Sequence, residues 1–192
     1  MSVLAIIISA VAVLFAWLTW QTAKRTMFHH VLEDIRKDYR SPEMHHAVKT
    51  MRDLYRTHRD NFVEEYEKRR KKDDERISNL AEEKRVEAEA GTIHFQRRLV
   101  SHFYQYVAAL YLNHILPKDL VFKTWSESDL RIIPEIIVPI ETKLREVLNE
   151  SPLPPLDEKN FPPLVLYSDS KDYEAQKTAE TPKPSNNTVK ES

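Results

Sequence analysis

The hydrophobic pattern divides the chain at Ala23. From Val3 to Trp20 it reads VLAIIISAVAVLFAWLTW, apolar at nearly every position, and no charged side chain precedes Lys24. Roughly 20 helical residues, each rising about 1.5 Å, cross a ~30 Å hydrocarbon layer, so this run predicts a membrane span. Beyond it the apolar residues recur at helical spacing. Met27, Phe28, Val31, Leu32, Ile35 and Tyr39 fall on one stripe with no intervening breaker. One long helix from Val3 to Tyr39 is therefore predicted. Ser41-Pro42-Glu43 then has the chemistry of a helix start: a capping hydroxyl, a proline at the first position and an acid in the first turn. The next helix carries Met44, Ala47, Val48, Met51, Leu54 and Tyr55 on one face and ends near His58 to Asp60. These two helices are expected to form an antiparallel hairpin.

Glu64 to Glu89 is densely charged, with only Tyr66, Ile77, Leu80 and Val86 as sizeable apolar residues. Acid-first pairs four apart, such as Glu64–Lys68 and Glu65–Arg69, stabilise a helix by about 0.2–0.5 kcal/mol each. The stretch 64–90 is read as a solvated helix or a mobile excursion outside the core. Gly91-Thr92 opens the strongest core helix, with Ile93, Leu99, Val100, Phe103, Tyr104, Val107, Leu110, Tyr111 and Leu112 on a broad face that Pro117 terminates. Lys118 to Trp125 predicts a short helix with Leu120, Val121 and Trp125 inward. A last helix from Ser128 to Asn149 sets Ile132, Ile136, Ile140, Leu144 and Leu148 in a row, to be kinked or split by Pro134 and Pro139. Residues 151–167 are Pro-rich and read as an extended segment on the bundle, and 168–192 as a disordered tail. The fold class expected is all-α: a transmembrane helix over 1–23, a four- to five-helix bundle over 24–150 with its charged helix, and the tail.

The flanks argue against the other readings of the apolar run. A signal peptide has a basic leader and a small-x-small cleavage site, whereas no Lys or Arg precedes Val3 and the run ends in Trp17 and Trp20. Tryptophans suit a membrane–water interface. Lys24 and Arg25 follow at once, then Arg36, Lys37 and Arg40. Basic residues stay on the cytoplasmic side, so the expected topology in the cell membrane is single-pass, N-terminus outside and C-terminal domain cytoplasmic. Ala5, Ser9, Ala12 and Ala16 make a heptad-like seam of small residues on which two such helices can approach, a route to homo-oligomers.

Composition narrows the choices further. The formal net charge is −1, which argues against nucleic acid as a partner. There is no Cys, hence no disulfide, thiolate chemistry or Cys-ligated zinc. A single glycine, Gly91, rules out Gly-rich phosphate loops and dinucleotide fingerprints. Eight histidines remain as sources of a site. His29–Glu33 and His30–Asp34 are four apart, and Glu43-Met-His45-His46 is a Glu-x-x-His of the kind found in di-iron bundles. That motif needs a second copy, which the chain lacks, so His29, Glu33 and His46 are weak metal candidates only. His94, Arg98 and His102 form another ladder, suited to an anion. No catalytic motif is present, and neither an enzyme nor a cofactor is expected.

The order of an N-terminal span, DYRSPEMHHAVKTM, a charged excursion and FQRRLVSHFYQYVAALYLNHILPKDLVFKTW resembles a group of uncharacterised prokaryotic single-span proteins with a small helical cytoplasmic domain. In that group an Arg-x-x-Val/Leu-x-x-Phe/Tyr helix precedes a short helix beginning near Leu-x-x-Asp-Leu-Val. Arg97, Val100, Phe103 and Tyr104 match the first, and Leu116, Asp119, Leu120 and Val121 the second. The resemblance covers residues 1–148 and implies fold and topology, without an activity. The function expected is a membrane-anchored interaction or scaffold module with the lipid bilayer and an unknown protein as partners. The alternatives are a small accessory subunit of a membrane complex, or a His/carboxylate metal protein or enzyme.

Overall fold

The computed structural model describes residues 3–148 and 154–180, with side chains over 8–147 and 154–179. Every regular element among them is helical. The first helix, α1 (Val3–Tyr39), is unbroken, as its uninterrupted pattern predicts. Only its last third enters the core, where Leu32 and Ile35 are each 1% exposed. Tyr39 closes the helix on an aromatic cluster, 5.3 Å from the Phe103 ring and 6.1 Å from Trp125. Among the described residues no helix is long and apolar enough to cross a membrane. The described side chains of the apolar run are those from Ile8 to Trp20, and thirteen helical residues reach only about 20 Å. The side chains of Val3 and Ala5 lie outside the described residues.

The second helix, α2 (Pro42–Thr57), starts as its sequence demands, with the Ser41 hydroxyl accepting from the Met44 N–H at 3.2 Å. It buries Met44, Ala47, Met51 and Leu54. Its main partner is α5 (Ile93–Leu112) rather than α1, so the expected α1–α2 hairpin is a sequence neighbour pair more than a packing unit. The reason is that α5 offers the larger apolar face: Ile93, Val100, Phe103, Tyr104, Val107 and Ala108 are all buried. Thr92 caps α5 by accepting from the Phe95 N–H at 3.1 Å, and Asp73 accepts from the Ile93 N–H at 2.9 Å. At its other end His114 takes φ 56°, a left-handed position where glycine is usual, in a chain that has one glycine elsewhere. The Leu116 N–H then reaches back to the Leu110 carbonyl.

The charged stretch is not a single solvated helix. It forms α3 (Phe62–Ser78) and α4 (Glu82–Ala90). The α3 helix belongs to the bundle, because Phe62 and Tyr66 are buried and Asp73 holds the start of α5. Three intervening residues carry the turn, and the carbonyls of Leu80 within it and of Ser78 at the end of α3 accept from the Arg85 guanidinium. The α4 helix buries nothing, and there the solvated reading fits.

After α6 (Lys118–Thr124) comes a short capping-box turn, α7 (Glu127–Leu130). The two prolines of the next stretch then split the predicted last helix. Residues Ile133–Ile137 form a π-turn closed by the Val138 N–H on the Ile133 carbonyl, followed by α8 (Val138–Leu148). Pro134 and Pro139 cannot donate, and the wider turn absorbs the missing ladder bonds. Ile132, Ile133, Ile136, Ile137 and Ile140 are all buried there. Leu148's side chain lies outside the described residues.

The C-terminal expectation needs correction. Residues 163–180 form a helix, α9 (Pro163–Glu180), rather than an extended segment followed by a disordered tail. Leu166 and Ser170 are buried and Tyr173 packs on the core, 5.5 Å from Phe122 between ring centroids. Tyr111 donates to Asp169 at 2.5 Å, tying α9 to α5. The rest of the expected tail, 181–192, lies outside the described residues. Because Tyr66 sits wholly inside the bundle, Tyr66→Ala is expected to lower the unfolding free energy of the detergent-solubilised chain by about 3–5 kcal/mol, the usual cost of truncating a buried aromatic. Urea unfolding followed by circular dichroism measures this; a loss below ~0.5 kcal/mol, typical of surface positions, would mean that α3 is only a solvated appendage.

Candidate functional site

The N-terminal half of α1 is the most unusual surface of the molecule. Ile8, Val13, Leu14, Phe15, Trp17 and Trp20 are each more than half exposed, and Val11 and Leu18 are 46% exposed. At 100° per residue these positions cover the whole circumference of the helix. Ser9, Ala12 and Ala16, the described members of the small-residue seam, are exposed with them. Thr19, Thr22 and Thr26 each turn the hydroxyl inward to donate to the carbonyl four residues back, at 2.8–3.0 Å. Their polar groups are thus satisfied without water.

A basic collar follows. The Lys24 ammonium lies 5.3 Å from the Trp20 ring and 5.5 Å from the Phe28 ring, so its stem covers apolar surface while the charge stays at the edge. Lys24, Arg25, Phe28 and His29 form one wall of a crevice of about 380 Å³. Pro117 and Leu120, where α5 gives way to α6, form the other.

A second concavity, about 840 Å³, lies between α2, α3 and the start of α5. Its α3 wall bears Lys68, Arg69, Lys72 and Arg76 together with the acids Glu65 and Asp73, and His46 lines it from α2. Lys68 pairs with Glu65 at 3.3 Å and Arg76 with Asp73 at 3.5 Å, leaving Arg69 and Lys72 without an ion-pair partner among the described residues. The expected pairs Glu64–Lys68 and Glu65–Arg69 are not among the ion pairs of the described residues; Lys68 takes Glu65, three positions back, instead.

The metal candidates do not converge. His29 lies in the α1 crevice and His46 in the α3 groove, while Glu33 pairs with Arg36 at 3.0 Å. Among the described residues no group of three or more His, Cys, Asp or Glu could hold a metal ion. In the His94–Arg98–His102 ladder, Arg98 and His102 are exposed and His94 turns instead toward Arg97.

Arg97 carries a polar centre that its place in the sequence did not reveal. Buried on α5, it donates to Glu141 of α8 at 2.5 Å, and its Nη2 lies 3.5 Å from His94 Nδ1. Burial, with Arg97, Arg98 and Arg70 nearby, holds the His94 imidazole below its ordinary pKa and favours the neutral ring. Tyr66 lies beside the same guanidinium, and its burial pushes the phenol up. Spacing could not pair Arg97 with a residue 44 positions away. The centre fixes α3, α5 and α8 against one another and presents no nucleophile paired with a base.

Comparison with protein-family models, with curated proteins and with solved structures finds no match to this chain.

Glu141→Gln leaves the Arg97 guanidinium buried without its counter-charge and is expected to lower the unfolding free energy by about 3 kcal/mol or more. The double variant Arg97→Met, Glu141→Leu should recover most of that loss. Equal losses in the single and double variants, by urea unfolding, would show that the pair does not act as a buried unit.

Proposed function

We propose that the protein is a single-pass membrane-anchored helical interaction module, with α1 as its anchor and the bundle held against the inner face of the cell membrane. The observation that carries this reading is the all-round apolar exposure of α1 from Ile8 to Trp20 on the same unbroken helix that buries Leu32 and Ile35. A helix apolar on every side needs a non-aqueous surrounding. Val3 to Ile7 of the sequence extend the apolar run to eighteen residues, within the range that spans a bilayer. Lys24 and Arg25 support a cytoplasmic bundle by the positive-inside preference. The α3 groove, with Arg69 and Lys72 unpaired, suits an acidic protein partner. Tethering concentrates any such partner at the membrane.

An accessory-subunit role is favoured by one feature, the exposed Ser9, Ala12 and Ala16 face, which permits close helix packing in lipid. In that case the span itself is the interface.

Alkaline carbonate extraction of membranes from cells expressing the full chain tests the anchor. The wild-type protein is expected to stay in the membrane pellet. Val11→Arg with Leu14→Arg, costing about 2.5–3.5 kcal/mol each at a span centre, should move it to the supernatant. Release of the wild-type chain by carbonate would overturn the reading.

A further inference from the structure

We propose that the crevice between α1 and the α5–α6 corner is a docking site for an anionic phospholipid, which locks the bundle against the bilayer; this rests on the anchor reading above. Three observations converge on it. The first is charge: the cations Lys24 and Arg25 line the crevice, with His29 beside them, and no acidic side chain lines it. The nearest acid further along that helix, Glu33, is taken up by Arg36. The second is its apolar lining, Phe28 on the α1 wall and Pro117 with Leu120 on the wall opposite, which no headgroup would require but an acyl chain or glycerol backbone would use. The third is continuity. The crevice opens one turn below Trp20, where the circumferentially apolar part of α1 ends, so a lipid lying along the helix brings its phosphate to the cations without leaving its leaflet.

This arrangement differs from a general basic surface. A headgroup drawn only by the surface potential would need cations anywhere near the membrane. Here two elements far apart in sequence, α1 and the α5–α6 corner, form the two walls of one amphiphilic slot. Because α1 is already rigid with the bundle, a lipid bridging the two walls would set the depth and tilt of the whole unit in the leaflet. A small soluble phosphate would satisfy the cations and leave the apolar wall unused, so the occupant is the lipid rather than free phosphate.

The test uses the full chain, delipidated in mild detergent and offered equal amounts of phosphatidylglycerol and phosphatidylcholine, with retained lipid read by native mass spectrometry. A phosphatidylglycerol preference of roughly thirtyfold is expected, since Lys24 and Arg25 each contribute about 1 kcal/mol at a membrane surface and about 1.4 kcal/mol is a factor of ten. Lys24→Gln with Arg25→Gln should abolish the preference. Leu120→Asp, which puts an acid in the slot and leaves the collar intact, should reduce it as well. Lys37→Gln with Arg40→Gln, in the last turn of α1 and just past its end, beyond the crevice, should not. Circular dichroism of each variant confirms that the bundle is folded. Equal retention of the two lipids, an equal loss in the Lys37/Arg40 variant, or displacement of the bound lipid by millimolar glycerol 3-phosphate each overturns the proposal. Flotation with pure phosphatidylcholine vesicles separates the two readings. A chain that floats but shows no lipid preference refutes the docking site alone, whereas a chain that does not float refutes the anchor and the site together.

Discussion

A helix changes direction only where its hydrogen-bond ladder is broken, and α1 has no break between Val3 and Tyr39. The remaining structure is arranged around that constraint. One end of the rod is apolar on all sides and the other is apolar on a single stripe, so its two ends need different surroundings. Burying Leu32 and Ile35, at about 1.5–3 kcal/mol each, holds the rod in the bundle. The Arg36 guanidinium adds a hydrogen bond to Thr124 of α6 at 3.0 Å. Whatever surrounds residues 8–20 is thereby coupled rigidly to the bundle.

The bundle accepts this rod through aromatic packing. Tyr39, Phe103, Tyr104 and Trp125 contact one another edge-on or tilted, with centroids 5.3–6.1 Å apart. Such contacts are directional and hold α1 at a defined rotation, which bare aliphatic burial would not. Tyr104 is so deeply buried that its phenol is pushed far above the usual range, so it stays neutral at any ordinary pH. Two turns earlier along α5, Arg97 and Glu141 perform the same registering role with charge, a use of buried ion pairs in which position matters more than net stabilisation.

Features written in local pattern were legible in the sequence: the unbroken α1, the Ser41 and Thr92 caps, the α5 face, the short α6 and the disruption at Pro134 and Pro139. Three features were not, and each has a physical cause. Tyr66 is one buried aromatic amid charges, and one residue makes no stripe. The α9 helix packs through Leu166, Ser170 and Tyr173, a helical spacing carried by a serine and a tyrosine rather than by aliphatics. The Arg97–Glu141 pair joins distant helices, and nothing local marks it. The candidate surfaces divide in the same way. The basic collar on α1 is visible in the order of residues, whereas Pro117 and Leu120 join it only through the fold.

The account depends on one helix passing from lipid into a protein core. Because the chain has no native cysteine, single cysteines can be introduced at each position from Ile8 to Tyr39 and spin-labelled in vesicles. Collision with dissolved oxygen and with a water-soluble nickel chelate then reports the surroundings of each residue. From residue 8 to 20 every position should favour oxygen with no helical periodicity, and from 31 to 39 both probes should fall at Leu32, Ile35 and Tyr39. A high nickel signal over residues 8–20, or a one-sided periodic pattern there, would place that segment in water or against protein and contradict the account.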